Sequence, residues 1–381
     1  MWSTLSSTLS ALPPLRDFIL PTPEAYVTLL NIFQFFPLVT IIQWLTSWHP
    51  AGKTSSKNSR FNIPGRLAWF IMEVTGPINL LYILYNLPAR LSIQTLPLPN
   101  KLVAALYLLH YANRAIISPF FAAPSMSPIH IIVAASAIFF NWLNSSCLAC
   151  WLVGYNITTI PAYYPTSPTS ITASTPEKAL EDSLTGTTTP PLLLPITGLV
   201  LFLLGMAGNI HAERTLFRLR REQADNKSKA NTTSASKNKY HKVYAIPPPS
   251  GLFTSILYPH YVAEWLEWSG FALLGVSVFP ALSPPSPIAI PDVLSTSTST
   301  SIPGMAGSVP VLRLAPWLVP AVWAAGKLGV PVVPLPAIVF VVNAVANMLP
   351  HARWGRRWYV GRFGEGAVAG RGAVVPFVSW L

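Results

Sequence analysis

The chain has 381 residues, of which 51% are hydrophobic and only 10% are charged. Ordinary soluble domains carry about 25% charged residues, so the composition excludes that class and predicts an integral membrane protein. The sequence contains neither a P-loop nor a GxGxxG fingerprint, which excludes the phosphate-binding motifs of the common nucleotide-binding folds.

Stretches of about 20 hydrophobic residues, the length that a helix needs to cross roughly 30 Å of hydrocarbon, follow one another along the chain. They cover residues 26–47, 67–87, 101–121, 129–154, 192–210, 261–281 and 329–349. A shorter stretch at 314–326 leaves an eighth span open. The sequence therefore predicts an all-α integral membrane protein built as a bundle of seven transmembrane helices.

Lysine and arginine residues crowd every second loop of this arrangement. They follow the first, third, fifth and seventh spans, with a dense cluster from Arg214 to Lys242 and another from Arg353 to Arg371. Because cytoplasmic loops carry an excess of cations, the pattern predicts a lumenal N-terminus and a cytosolic C-terminus. The net charge of +12 then lies mainly on the cytosolic face, either as a topology signal alone or as a surface for an anionic cofactor or lipid headgroup.

Composition divides the chain into three parts. Residues 1–160 contain the first four spans, residues 161–190 form a lumenal loop rich in Thr, Ser and Pro, and residues 191–381 form a C-terminal domain. The stretches 223–242 and 284–310 are expected to be inserted loops, because they carry too few hydrophobic residues to form a packed core.

Ionisable side chains inside the spans are the best indicators of function, because a charge in hydrocarbon is costly and usually faces a cavity or a partner. Glu73 lies in the middle of the second span, and Glu264 and Glu267 lie at helical spacing in the sixth, on the face that also carries His260. The third span ends in "LYLLHYANR", which places His110, Tyr111 and Arg114 at its cytosolic end. Each group taken singly could be a satisfied buried polar residue. Together they predict a polar cavity that opens toward the cytosol.

The two cysteines, in contrast, are expected to serve packing. Cys147 and Cys150 form a single CxxC inside an apolar span. Zinc and redox sites require a second pair, a nearby histidine or a thioredoxin-like context. We therefore expect no metal site.

Several segments carry a resemblance to a known family. "GRLAWFIMEVTGP", "LHYANR", "LFLLGMAGNIHAERTLFRLRRE", "YAIPPPSGLFTSILYPHYVAEWLEWSGFAL" and "RRWYVGRFGEGAVAGRGAVVPF" occur in the order and with the local spacing of the signature segments of the steroid 5α-reductase family. The resemblance implies a seven-helix enzyme of the endoplasmic-reticulum membrane that reduces a carbon–carbon double bond with NADPH. Members act on 3-oxo-Δ4 steroids, polyprenols or their aldehydes, and enoyl-CoA thioesters, so the expected partners are a lipid substrate and membrane lipids, with no nucleic acid.

The resemblance also implies roles for individual residues. Glu73 and Tyr111 match the pair that binds the substrate carbonyl, and Glu73 is expected to be a neutral acid because burial disfavours the charged form. The positions that match the cofactor cavity are Asn209, Glu213, Arg220, Tyr244, His260, Glu264, Tyr359 and Arg371. The chain departs from the family at Arg356, where relatives carry a histidine, and at Met72, where steroid reductases carry a glutamine.

Two interpretations of other classes stay open. A non-catalytic lipid-binding protein would keep the helices and lose the pocket. Membrane isoprenyl-cysteine methyltransferases have a broadly similar C-terminal organisation but use S-adenosylmethionine. Within the reductases, Glu73 with "HYANR" favours the steroid branch, whereas "YPHY" is similar to the polyprenol branch.

Overall fold

A computed structural model describes residues 12–46, 59–155, 157–159, 192–230, 239–240, 243–279, 288–290, 312–328, 330, 333–378 and 380. The lumenal loop expected at 161–190 lies outside these residues. So does most of the loop expected at 284–310.

The described part of the chain is mainly α-helical. Its helices are α1 (Pro23–Phe33), α2 (Phe36–Leu45), α3 (Gly65–Arg90), α4 (Leu98–Tyr111), α5 (Ile131–Val153), α6 (Leu193–Ala230), α7 (Pro259–Leu274), α8 (Val319–Lys327), α9 (Leu335–Phe363) and α10 (Glu365–Val368). A π-helix over Ala112–Ala122, here called the π segment, continues α4. Strand β1 (Asn62–Ile63) pairs antiparallel with β2 (Ile129–His130), and β3 (Ile157–Thr159) pairs parallel with β4 (Ile288–Ile290).

The second half of α5 forms the centre of the core. Every residue from Leu143 to Val153 is buried, and α5 packs against α1, α3 and α9. A helix that is apolar all round is expected in such a central position. Cys147 and Cys150 are free thiols within this buried stretch, in agreement with the packing role expected of them.

Five helical stretches are long and apolar enough to cross a membrane: Pro23–Leu45, Gly65–Arg90, Ile131–Val153, Leu193–Lys229 and Leu335–Phe363. The remaining two spans expected from the sequence are also helical, since α4 with the π segment covers the third and α7 covers the sixth. Neither meets the same criterion of length and hydropathy. The helical class is confirmed, and the count of seven crossings stays a prediction.

Helix α6 differs from the expectation at its C-terminal end. It runs without a break to Ala230, so residues 223–230, expected as the start of an inserted loop, are helical. Their polar composition hid this, because glutamine and lysine are good helix formers even though they are rarely buried. Residues 231–238 and 241–242 lie outside the described part of the chain.

Helices α6 and α7 approach each other backbone to backbone. A Cβ atom at Gly205 would lie 2.4 Å from the backbone nitrogen of Glu267, and one at Gly270 would lie 2.4 Å from that of Phe202. Small residues allow such close contact between membrane helices. The contact brings the polar residues of α6 opposite those of α7.

Side-chain hydrogen bonds to backbone carbonyls join neighbouring segments at both ends of the stretch formed by α4 and the π segment. Arg66, at the start of α3, donates hydrogen bonds to the backbone carbonyls of Pro119 and Ala123 at the end of the π segment. At the opposite end, the Asn100 side chain donates to the carbonyls of Leu152 and Phe279, at 2.8 and 2.9 Å. These contacts align α3, α4, α5 and α7 side by side.

Candidate functional site

Three carboxylates from three different helices surround the guanidinium of Arg114, which lies in the π segment. Its Nε atom lies 3.3 Å from Oε1 of Glu73 on α3, and its Nη1 atom lies 3.4 Å from Oε2 of Glu264 on α7. Oε1 of Glu213 on α6 lies 3.9 Å from Nη1. We call these four residues the Arg114 cluster. It joins Glu73, expected at the substrate carbonyl, to two residues expected at the cofactor.

Neutral donors add hydrogen bonds to two of the three carboxylates. The Asn209 amide donates to Oε2 of Glu264 at 3.3 Å, and the Ser118 hydroxyl donates to Oε2 of Glu213 at 3.2 Å. The other amide atom of Asn209, its Oδ1, is buried and has no hydrogen-bond partner among the described residues. A buried acceptor left in this state is rare in folded proteins, so it is available to a donor from a ligand.

The Arg114 side chain is also fixed by an aromatic ring. The Trp69 ring lies 5.0 Å from the guanidinium, and its Nε1 atom donates to the Arg114 carbonyl oxygen at 3.1 Å. The π segment that carries Arg114 follows directly on Tyr111, the last residue of α4. π-Helical turns are rare and occur frequently at functional sites.

Tyr111 is buried, with 4% of its surface exposed, and it contacts a second group of residues. Its hydroxyl donates to Oδ1 of Asn141 on α5 at 3.0 Å, and the Asn141 amide donates to the carbonyl oxygen of Met72 at 2.7 Å. The Tyr107 ring lies 4.5 Å from the Tyr111 ring. Because Met72 precedes Glu73 in the chain, Asn141 ties the position of Tyr111 to that of Glu73.

The environment of Glu73 differs in one respect from the expectation. Burial alone would favour a neutral acid, and Glu73 is indeed only 8% exposed. The sequence did not predict the guanidinium of Arg114, whose Nε atom lies 3.3 Å from Oε1 of Glu73. Glu73 therefore has a cation as its partner inside the protein.

His110 and Glu267 form a second buried pair between α4 and α7. The His110 Nδ1 atom lies 2.8 Å from Oε1 of Glu267, and Glu267 has no exposed surface. The Trp268 ring covers the imidazole at 4.5 Å. This pair connects α4 to α7 at the residue that precedes Tyr111 in the chain.

The other cofactor candidates lie nearer the end of the bundle. Arg220 donates to the carbonyl and hydroxyl oxygens of Ser125, at 3.2 and 2.9 Å, and to the carbonyl of Val243 at 3.3 Å. It lies within electrostatic range of Tyr244 and Tyr359. The Tyr244 ring contacts Trp358 at 4.9 Å. His260, in the first turn of α7, stacks edge-on against Tyr261 at 4.6 Å.

Arg371 joins the C-terminal tail to the loop before α7. It is 1% exposed, and its guanidinium donates to the carbonyls of Val368, Pro247 and Phe253, at 2.8, 2.8 and 3.2 Å. Burial lowers the pKa of this guanidinium. Arg356 donates to the Arg371 carbonyl at 2.8 Å. The arginine at the position of the family histidine thus fastens the same tail.

Sequence reasoning missed the two residues that hold the site together. The sequence placed Arg114 among the polar groups of the expected cavity but gave it no partner, and it did not single out Asn141. A signal for Arg114 existed, since it lies three residues after Tyr111 in a segment that otherwise has no charge. Among the described residues, no group of three His, Cys, Asp or Glu side chains is arranged to hold a metal ion.

Comparison with known proteins gives similarities over much of the chain. A family model described as 3-oxo-5-alpha-steroid 4-dehydrogenase matches residues 187–283. The chain is 30% identical over 263 residues to an uncharacterized protein of Schizosaccharomyces pombe, which covers 64% of this chain and 79% of that protein. It is 28% identical over 244 residues to 3-oxo-5-alpha-steroid 4-dehydrogenase 1 of Rattus norvegicus, 64% of this chain and 75% of that one. It is 24% identical over 358 residues to steroid 5-alpha-reductase DET2 of Arabidopsis thaliana, which covers 93% of this chain and 95% of that protein.

Proposed function

Because this chain belongs to the steroid 5α-reductase family, we propose that it is a membrane-embedded, NADPH-dependent reductase of a carbon–carbon double bond conjugated to a carbonyl group. The names of the relatives favour a 3-oxo-Δ4 steroid as substrate. We assign it to the endoplasmic-reticulum membrane with the cofactor cavity on the cytosolic side. The observation that carries the proposal is the Arg114 cluster, which couples the expected substrate residue to the expected cofactor residues.

The residues present fit a dinucleotide. The unpartnered Oδ1 of Asn209 is an acceptor for a carboxamide or hydroxyl donor, and the carboxylates of Glu213 and Glu264 are further acceptors beside it. Arg220 supplies a guanidinium, the group best suited to bidentate contact with phosphate. Tyr359 lies close enough to Arg220 to interact with it electrostatically. Arg371 holds the C-terminal tail against the loop that precedes α7. The bound cofactor supplies a hydride for the β-carbon of the substrate.

Reduction of a conjugated carbonyl places negative charge on its oxygen, so donors aimed at that oxygen lower the barrier. Tyr111 is the first such donor: its buried hydroxyl donates its one proton to Asn141 Oδ1 in the structure, and it would turn that proton to the substrate carbonyl when a substrate binds. A carboxylate cannot donate, so Glu73 needs a proton to act as the second. Three carboxyl groups around one guanidinium repel each other, and a proton on one of them lowers that repulsion.

The hydrogen bonds within the cluster favour Glu73 as the site of that proton. Glu264 and Glu213 each accept a hydrogen bond from a neutral donor in addition to the contact with Arg114, so each of these two carboxyl groups already contacts two donors. Glu73 has Arg114 as its partner. We propose that Arg114 stays with Glu213 and Glu264 while a protonated Glu73 donates to the substrate carbonyl.

The test is NADPH oxidation by the purified protein with three substrates: a 3-oxo-Δ4 steroid, a polyprenal and an enoyl-CoA. We expect turnover with the steroid, and its loss in Glu73→Ala. NADPH affinity, measured in parallel, should be unchanged in that variant. Turnover with only the polyprenal or only the enoyl-CoA would assign the protein to the polyprenol-reductase or the enoyl-CoA-reductase branch of the family instead. Failure of all three substrates in a protein that binds NADPH would contradict the proposed reaction.

A further inference from the structure

An open cavity of about 290 Å³ lies between the C-terminal ends of α6 and α9, and its charged and amide-bearing side chains are exposed. Gln223, Asn226 and Lys227 line it from α6, and Arg362 lines it from α9. Val243, Tyr244 and Phe363 complete the lining. The cavity is built on residues 223–230, the part of α6 that the sequence suggested was a loop.

The lining is basic and rich in donors. Lys227 and Arg362 are its charged groups, and the lining includes no carboxylate. Neither cation has a carboxylate within 4.0 Å in the part of the chain that the structure describes. Two unneutralised cations beside two carboxamides fit an anion that accepts several hydrogen bonds, and a phosphate monoester is such an anion.

The cavity continues a line of contacts along α6. Glu213, Arg220 and Lys227 are spaced seven residues apart, so they lie on nearly the same side of the helix and about 10 Å from one to the next. Glu213 belongs to the Arg114 cluster, and Arg220 lies within electrostatic range of Tyr244. Tyr244 lines the cavity, so the cavity adjoins the Arg220 site.

We propose that this cavity binds a phosphate monoester through Lys227 and Arg362. On the proposed function, its occupant is the 2′-phosphate of the adenosine half of NADPH, with the nicotinamide half directed toward Asn209 and Glu213. That phosphate is the group by which NADPH differs from NADH, and arginine is a common partner for it. Lys227 and Arg362 therefore select the cofactor.

The experiment measures the dissociation constants of NADPH and NADH for the full chain, purified in detergent. The variants are Lys227→Gln and Arg362→Gln. The matched control is Lys229→Gln, which removes the same charge two residues along the same helix and hence from a different face. We expect each cavity variant to weaken NADPH binding about tenfold, the effect of losing one charge-assisted contact, and to leave NADH binding unchanged. Lys229→Gln should bind both nucleotides as the wild type does.

A second arm uses short-chain phosphatidic acid, whose headgroup is a phosphate monoester, and phosphatidylcholine of the same chain length. Their effects on the Tm of the wild type and of the double cavity variant are compared. One pair of results would identify a lipid as the source of the phosphate. Phosphatidic acid would raise the Tm of the wild type but not of the double variant, and the wild type would bind NADPH and NADH equally well.

The outcomes separate the two proposals. If the wild type binds NADPH and the cavity variants match Lys229→Gln in both arms, the phosphate site is overturned and the proposed function stands. If the wild type binds neither nucleotide, the proposed function fails. The phosphate site then stands only if the phosphatidic acid effect depends on Lys227 and Arg362, and it is otherwise overturned.

Discussion

Replacing Arg114 by glutamine should destabilise the protein strongly, because it leaves the carboxylates of Glu73, Glu213 and Glu264 without their cation. Breaking a buried ion pair by removing one partner costs about 3–5 kcal/mol. The Arg114 side chain is 21% exposed, and water screens part of the repulsion, so we expect a value near the lower limit, about 3 kcal/mol. For a chain of this size, that corresponds to a fall in Tm of about 4 °C.

The assay is thermal unfolding of purified Arg114→Gln, followed by tryptophan fluorescence. The matched control is Arg218→Gln, which breaks the exposed pair between Arg218 and Glu222, whose side chains are 68% and 57% exposed. Exposed pairs contribute less than about 1 kcal/mol. Adding Glu264→Gln to Arg114→Gln removes one uncompensated carboxylate and should restore about 1 kcal/mol, within the range of contacting pairs. Equal Tm values for Arg114→Gln and Arg218→Gln, with no rescue by Glu264→Gln, would refute the role of Arg114.

Other changes test the remaining contacts. Glu73→Gln should reduce turnover by 10²–10⁴, the usual range for general acid catalysis, with unchanged NADPH affinity; a smaller loss would show that Glu73 orients the carbonyl without transferring a proton. Tyr111→Phe should lower turnover in the same manner, and a turnover equal to that of the wild type would remove Tyr111 from the mechanism. Gly205→Leu should abolish folding or shift the retention volume in size-exclusion chromatography, because its side chain would meet the α7 backbone; a normal elution profile and Tm would contradict the close approach. A protease site placed at the C-terminus should be cut in sealed microsomes without detergent, and cleavage only after detergent would reverse the orientation.

The sequence predicted the helices better than the connections between them. Glu73, Tyr111 and Glu264 could be identified because a polar group in an apolar span stands out. Their common partner could not, because Arg114 lies 41 residues from Glu73 and 150 from Glu264 along the chain. The spacing of residues along the chain does not predict which side chains from distant helices come into contact. Asn141 was missed because a neutral amide within an apolar helix carries no charge signal.

The extension of α6 shows a different limit. Residues 223–230 are polar, and polarity separates buried from exposed positions without separating helix from loop. Helix propensity was the applicable criterion at that position, since the segment contains no glycine or proline. The helix has 38 residues in all, more than the roughly 20 that a membrane crossing requires.

The backbone contact between α6 and α7 makes the two helices a single rigid piece. Side chains at Gly205 or Gly270 would collide with the opposite backbone, so the helices cannot slide past each other by a fraction of a turn. The separation of Asn209 from Glu264 is therefore set by the fold before any ligand arrives, which removes the free-energy cost of reorganising this wall on binding. Any movement that admits a ligand therefore has to come from elements outside this pair of helices.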